Sequence, residues 1–116
     1  MTRVRFISGN KHKISETTTI LESYGIKLIP VNLKLKELQA FNVDEIIEDK
    51  AIKAFQKVGW PLFVEHTILR LDLLNGFPGG LTEVFWERLK ADRFCELFGE
   101  DGKNSVVAET HIAYCD

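Results

Sequence analysis

Apolar and polar positions along the chain predict short strands alternating with helices. Val4, Phe6 and Ile7 mark an apolar strand near the N-terminus. Ile14, Thr17 or Thr18, Leu21 and Tyr24 then recur at helical spacing. Asn10 is placed to cap that helix, and Gly25 stands where a helix end favours a left-handed residue. From Ile26 to Leu35 apolar and polar residues alternate, with Pro30 suggesting an edge strand or a bulge. Asn42 followed by Glu45 reads as a capping box. The helix it opens carries Ile46, Ile47, Ala51, Ala54, Phe55 and Val58 and stops at Gly59. Pro61 to Val64 predicts a buried strand that delivers Glu65 and His66 at its C-terminal end, and Leu69, Leu71 and Leu73 predict a second strand. Asn75 to Gly80 is a strong turn, and Thr82 can cap a third helix from Glu83 to Phe98. Another turn is expected at Gly99 to Gly102, and a final strand from Ser105 to Tyr114.

Strands interleaved with helices predict an α/β fold, with a mixed twisted sheet and flanking helices. No repeat, low-complexity tract or Pro/Gly/Ser-rich linker divides the sequence, so a single domain over residues 1–116 is expected.

Composition narrows the function classes. The chain has 116 residues, 45% apolar and 28% charged, with a formal net charge of −2. That balance argues against a nucleic-acid partner, because a reader of the phosphate backbone normally presents a basic face. Arg3, Arg5, Lys11 and Lys13 do cluster, which suits a local anion site better than a long polyanion. No apolar run is long enough to span a bilayer, and the first residues lack the apolar stretch of a secretory signal. Cys95 and Cys115 form no metal-like pair and read as reduced thiols behaving as small buried hydrophobes, consistent with a cytoplasmic protein.

Three groups of residues carry candidate chemistry. The junction Ser8-Gly9-Asn10-Lys11-His12-Lys13 places free backbone N–H groups and a helix dipole where an anion can bind. Lys13 sits one turn into the helix, where it can reach a bound oxygen; a capped helix with surface lysines explains the same residues. His66, beside Glu65 and Thr67, can act as a general base or be a hydrogen-bonded structural residue. Glu16, Glu37, Glu45 and Glu65 supply hard oxygen donors of the kind Mg2+ takes, or are solvated carboxylates on helix faces.

In order and spacing these pieces resemble the inosine triphosphate pyrophosphatase family. Ser8-Gly9-Asn10-Lys11-His12-Lys13-Ile14-Ser15-Glu16 is similar to its T-G-N-x-x-K-x-x-E opening, and Glu37-Leu38-Gln39-Ala40 to its E-[IL]-Q-[AG] segment. Asp44-Glu45-Ile46 and Lys50-Ala51 look like the helix that follows. Val64-Glu65-His66-Thr67 stands in the place of V-E-D-T, and Leu74-Asn75-Gly76-Phe77-Pro78-Gly79 matches L-N-G-F-P-G. The resemblance implies hydrolysis of non-standard purine nucleoside triphosphates to monophosphate and pyrophosphate with Mg2+. It implies that Ser8, Gly9, Asn10 and Lys13 hold the triphosphate with help from Lys50, that Glu37 ligates the metal, and that Thr67 lies against substrate. It also implies an elongated two-lobed α/β fold with the active site in its cleft, usually as a homodimer.

The chain departs from that pattern at definite places. His66 replaces the catalytic Asp, so Glu65 and His66 are left as the candidate catalytic pair. Neutral imidazole accepts a proton but is a poor Mg2+ ligand. Glu83 stands where the family has lysine, and Ile68 where it has glycine. The chain is also expected to be a shortened member, because the aromatic and Ser-His-Arg segments that read the purine base have no counterpart before Asp116. Val84, Phe85, Trp86, Leu89, Phe94, Cys95, Leu97 and Phe98 make the third helix too apolar for one with a face in water, which predicts a homodimer. Two functions are therefore expected to compete: a metal-dependent nucleoside triphosphate pyrophosphatase, and a non-catalytic nucleotide-binding or protein-interaction homodimer on the same scaffold.

Overall fold

A computed structural model describes residues 2–99 and 105–116. Its described residues form a five-stranded mixed sheet and three helices. The sheet runs in the order β2 (Ile26–Val31), β1 (Thr2–Ile7), β3 (Leu62–Leu71), β4 (Pro78–Gly79), and β5 (Val106–Cys115) also pairs with β3. The mixed α/β architecture expected from the pattern is the one observed.

The chain divides into two compact units. The first comprises the residues up to Leu38, Ile47–Glu65 and Ile112–Asp116. Here β1 lies between β2 and the start of β3, parallel to both, with Ile7 opposite Val31 and Phe6 opposite Phe63. The Phe6 and Phe63 rings stack at 4.5 Å. Helix α2 (Val43–Val58) sends Ile47, Ala51 and Ala54 into a core completed by Ile7, Leu62 and Val64. The near-complete burial of these side chains is the main stabilising term for this unit.

Helix α1 (Lys11–Glu22) begins as the sequence predicts, with Asn10 as its cap, and Gly25 takes φ +72 just beyond its end. Ile14, Thr17, Thr18 and Leu21 are half-buried, whereas Tyr24 is 77% exposed. Tyr24 lies past the last helical residue, so helical spacing no longer sets its direction. Strand β2 stops at Val31 although the alternation runs on to Leu35. Leu33 and Leu35 still pack on the core. Alternation reports which side chains are buried, whereas a strand also needs a hydrogen-bonded neighbour.

The second unit comprises Gln39–Ile46 and the described part of His66–His111. Its main correction to the sequence reading concerns β3. The two strands expected around Val64 and Leu71 are one ten-residue strand. No Gly or Pro interrupts Leu62–Leu71, so nothing in it forces a turn. Glu65 and His66 therefore lie in the middle of a strand rather than at its end. The chain then reverses through a 3-10 turn at Asp72–Leu74 and a left-handed Asn75 at φ 53.

Helix α3 (Thr82–Phe98) differs from expectation in two respects. Its N-cap is Leu81, and Thr82 is already helical. The Thr82 hydroxyl instead accepts from the Leu69 N–H at 2.9 Å and donates to the Gly79 carbonyl at 2.5 Å, joining β3 to β4. The helix is also broken at Lys90, at φ 60 and ψ 173. Phe85 approaches Phe94 and Phe98 across the break, gathering part of the apolar surface within this unit. Cys95 is exposed and Cys115 half-buried, so the buried placement expected of both thiols is not observed. Both are free. The turn expected at Gly99 to Gly102 falls, after Gly99, outside the described residues. No helix of the described residues is long and apolar enough to cross a membrane.

Candidate functional site

The geometry at the start of α1 follows from the parallel pairing of β1. Strands β1, β2 and β3 point the same way, so the residues after β1 and β2 emerge at one carboxyl edge, where ligands of open parallel sheets bind. Ser8 donates its backbone N–H to the Val31 carbonyl at 3.1 Å, continuing the pairing by one step. The Ser8 hydroxyl accepts from the Asn10 N–H at 3.1 Å, and Asn10 Oδ1 accepts from the His12 and Lys13 N–H groups at 3.0 and 3.1 Å. An Asn side chain in this position satisfies donors that the first helical turn leaves without partners.

Extending the β1–β3 register brings Glu65 level with Ser8. Lys13 Nζ meets Glu65 Oε1 at 2.6 Å. Lys50, from α2, donates to the Glu65 carbonyl oxygen at 3.1 Å and pairs with Glu37 Oε1 at 3.3 Å. Ser8, Gly9, Asn10, Lys13, Glu37, Lys50 and Glu65 all belong to the first unit. The four charged side chains form a linked set of two ammonium groups and two carboxylates.

The sequence alone points to Glu37 as a metal ligand, Glu65 as a catalytic candidate or hard oxygen donor and both lysines as phosphate ligands, and it gives no sign that each lysine pairs with a glutamate. Asn32 was also missed. Its Oδ1 lies 2.9 Å from where a Cβ on Gly9 would stand, so the glycine and Asn32 are fitted together. The available signal was position: Asn32 is the first residue after β2, on the same edge as Ser8 and Gly9.

His66 and Thr67 lie in the second unit. His66 shares the buried face of β3 with Leu62, Val64 and Ile68 and is 8% exposed. Successive strand residues face opposite ways, so Glu65 and Thr67 occupy the other face. Thr67 Oγ1 lies 3.0 Å from Thr110 Oγ1. Glu83 is exposed in the first turn of α3.

Among the described residues no three His, Cys, Asp or Glu side chains form a group able to hold a metal ion. Glu16 and Glu45 are exposed. Glu37 and Glu65 fit a hard divalent cation in chemistry, since Mg2+ takes one or two carboxylates and completes its shell from phosphate and water. They fit it only alongside a ligand that brings the remaining oxygens.

Known proteins are similar to this chain in sequence and in fold. Residues 4–116 match the model of the Ham1 family. The chain is 31% identical over 111 residues to an inosine triphosphate pyrophosphatase of Tuber melanosporum, covering 96% of this chain and 60% of that protein. It is 28% identical over 116 residues to a dITP/XTP pyrophosphatase of Methanosarcina mazei, covering all of this chain and 63% of the relative. The chain thus spans about three-fifths of the length of these curated relatives. A HAM1 protein from Coxiella burnetii superimposes with TM-score 0.72 at 24% identity, covering 98% of this chain and 63% of that one. A nucleoside-triphosphatase from Mycobacterium abscessus superimposes with TM-score 0.66 at 18% identity, covering 96% and 73%. Sequence match and fold agree over nearly the whole chain, and the chain belongs to the Ham1 family.

Proposed function

We propose that the chain binds the triphosphate of a non-standard purine nucleoside triphosphate with Mg2+, and that it releases pyrophosphate from it. The observation that carries this reading is the meeting of Lys13, Glu65, Lys50 and Glu37 beside the Asn10-capped helix. The names of the relatives, inosine triphosphate pyrophosphatase and dITP/XTP pyrophosphatase, supply the substrate class. In this reading Ser8, Gly9 and Asn10 present backbone and side-chain groups to phosphate, while Lys13 and Lys50 neutralise its charge. Glu37 offers an oxygen to Mg2+, which when bound would screen the phosphates. Glu65, released from Lys13, accepts a proton from the attacking water. We place this action in the cytoplasm, in keeping with two free thiols.

A second reading is favoured by one observation. By the resemblance His66 takes the place of the family's catalytic Asp, and it is buried on the face of β3 that carries Leu62, Val64 and Ile68 rather than the face that carries Glu65. A protein that keeps the phosphate-binding edge and lacks that carboxylate is a nucleotide-binding module without turnover. In either reading two copies associate, through the exposed Val84, Trp86 and Leu97 of α3. Light scattering after size exclusion checks this, and a stable monomer at micromolar concentration counts against it.

Pyrophosphate release over a panel of nucleotides with Mg2+ and Mn2+ decides between the readings. The enzyme reading expects turnover by the native chain and its loss in Lys13→Ala. Nucleotide binding without turnover, with turnover appearing in His66→Asp, establishes the binding module. Neither binding nor turnover removes both.

A further inference from the structure

Helix α3 is broken where its sequence gives no reason for a break. Glu87, Arg88, Leu89, Lys90, Ala91 and Arg93 are all strong helix formers, and no Gly or Pro stands between Thr82 and Phe98. Glu87 and Lys90 also stand three positions apart, an opposite-charge spacing that supports a continuous helix. Lys90 nevertheless takes φ 60 and ψ 173, a conformation that favours glycine. Local preference and the observed bend oppose each other at this residue.

What the bend gains is aromatic contact. Between ring centroids, Phe85 lies 6.4 Å from Phe94 and 6.2 Å from Phe98 across it, and Trp86 lies 5.2 Å from Phe94. No residue of the second half is fully buried: Phe94 and Phe98 are half-buried, and Ala91, Asp92, Arg93, Cys95, Glu96 and Leu97 are exposed. A straight α3 would relax Lys90 but carry Phe98 about 20 Å from Phe85 along the axis. One chain cannot have the straight helix and these contacts together. Two chains can, because two straight helices laid antiparallel set the first half of each against the second half of the other.

We propose that Lys90 is a hinge for exchange between two copies of this chain. It becomes helical, and the residues after it, which include β5, pack on the other copy. Phe94 and Phe98 then meet the other copy's Phe85 and Trp86. The contacts of Arg70 with Glu109 and of Thr67 with Thr110, both at 3.0 Å, are likewise remade between chains. Every exchanged contact already exists within one chain, so the second copy fits without any new surface. The inference deepens the association proposed above, which uses the exposed Val84, Trp86 and Leu97, by naming the contacts that are traded. It does not depend on what the chain binds or cleaves.

Light scattering after size exclusion, over a range of concentrations, tests this in the native chain, in Lys90→Gly and in Val84→Glu/Leu97→Glu, with a thermal melt of each to verify folding. Glycine relieves the bend and disfavours a helix at that position, so both effects hold the arm in its own chain. Lys90→Gly is expected to raise the dimer dissociation constant about a hundredfold, since both copies have to straighten. The double glutamate variant charges the exposed face and is expected to keep the exchanged dimer. Isotope-labelled and unlabelled native dimers, mixed and followed by native mass spectrometry, are expected to form hybrids slowly, because an arm must first leave its place. That measurement needs no variant. Loss of the dimer in Lys90→Gly together with slow hybrid formation establishes the exchange. A dimer that Lys90→Gly leaves unchanged and the double glutamate variant breaks, or hybrids formed at once on mixing, overturns the exchange and leaves association through the exposed face. A native chain that stays monomeric at every concentration overturns both.

Discussion

Phe85 and Phe98 lie thirteen positions apart in one helical segment, yet their ring centroids are 6.2 Å from each other. A straight helix would separate them by about 20 Å at 1.5 Å per residue. The break at Lys90 folds the second half of α3 back on the first, and Phe94 packs against Phe85 and Trp86 as a result. Lys90 reaches this geometry at φ 60 and ψ 173, a conformation that only glycine adopts without strain. Lys90→Gly is therefore expected to stabilise the protein by about 1 kcal/mol. Thermal melting checks this; no rise in Tm would mean that the fold-back is not strained at Lys90.

Gly80 is expected to tolerate no side chain. A Cβ there would collide with the Ala40 carbonyl oxygen and come within 2.6 Å of the Phe41 oxygen and 2.7 Å of Ile46 Cδ1. The Gly80 N–H also donates to the Phe41 carbonyl at 2.8 Å, so the backbone has little room to move away. Two of the three obstacles are backbone. Gly80→Ala is expected to cost about 3 kcal/mol, read as a lower denaturant midpoint.

Thr82 is expected to matter for its hydroxyl. Val keeps its shape and removes the bonds to the Leu69 N–H and the Gly79 carbonyl. Thr82→Val should cost about 1–2 kcal/mol, since buried polar groups lose their partner. If Thr82 served only as a helix cap, Thr82→Asp would preserve stability; here it is expected to destabilise more than Val.

Glu109 predicts a pH dependence. His111 Nε2 lies 3.2 Å from Glu109 Oε2, and Arg70 Nε donates to Glu109 Oε1 at 3.0 Å. The His111 hydrogen bond first, and that of Arg70 second, hold the Glu109 carboxyl below its ordinary value of 4.5. A carboxyl with a lowered value in the folded state contributes stability that is complete above its unfolded value. That contribution is lost as pH falls through the folded value. Glu109→Gln should flatten the fall of Tm on the acid side, below about pH 4.5, relative to the native chain. An acid-side slope identical in both proteins would remove Glu109 from the account.

Much of this protein could be read along the chain because the signals are local. Asn10 caps α1, Gly25 takes a left-handed turn, and the spacing of Ile47, Ala51 and Ala54 gives the buried face of α2, each set by neighbours within a turn or two. The motifs that resemble the Ham1 relatives are local strings as well. They carry the family without any knowledge of how the strings meet.

The tertiary structure decided what local signals do not contain. Leu62–Leu71 became one strand because β1, β4 and β5 all pair with it, and a strand's length is set by its neighbours. That length fixes the alternation that separates His66 from Glu65. The Lys13–Glu65 pair spans fifty-two positions and exists only because β1 and β3 run parallel and adjacent. Composition supplied the charges. Distance decides which of them neutralise one another, and electrostatic energy depends on that distance and on the water between them.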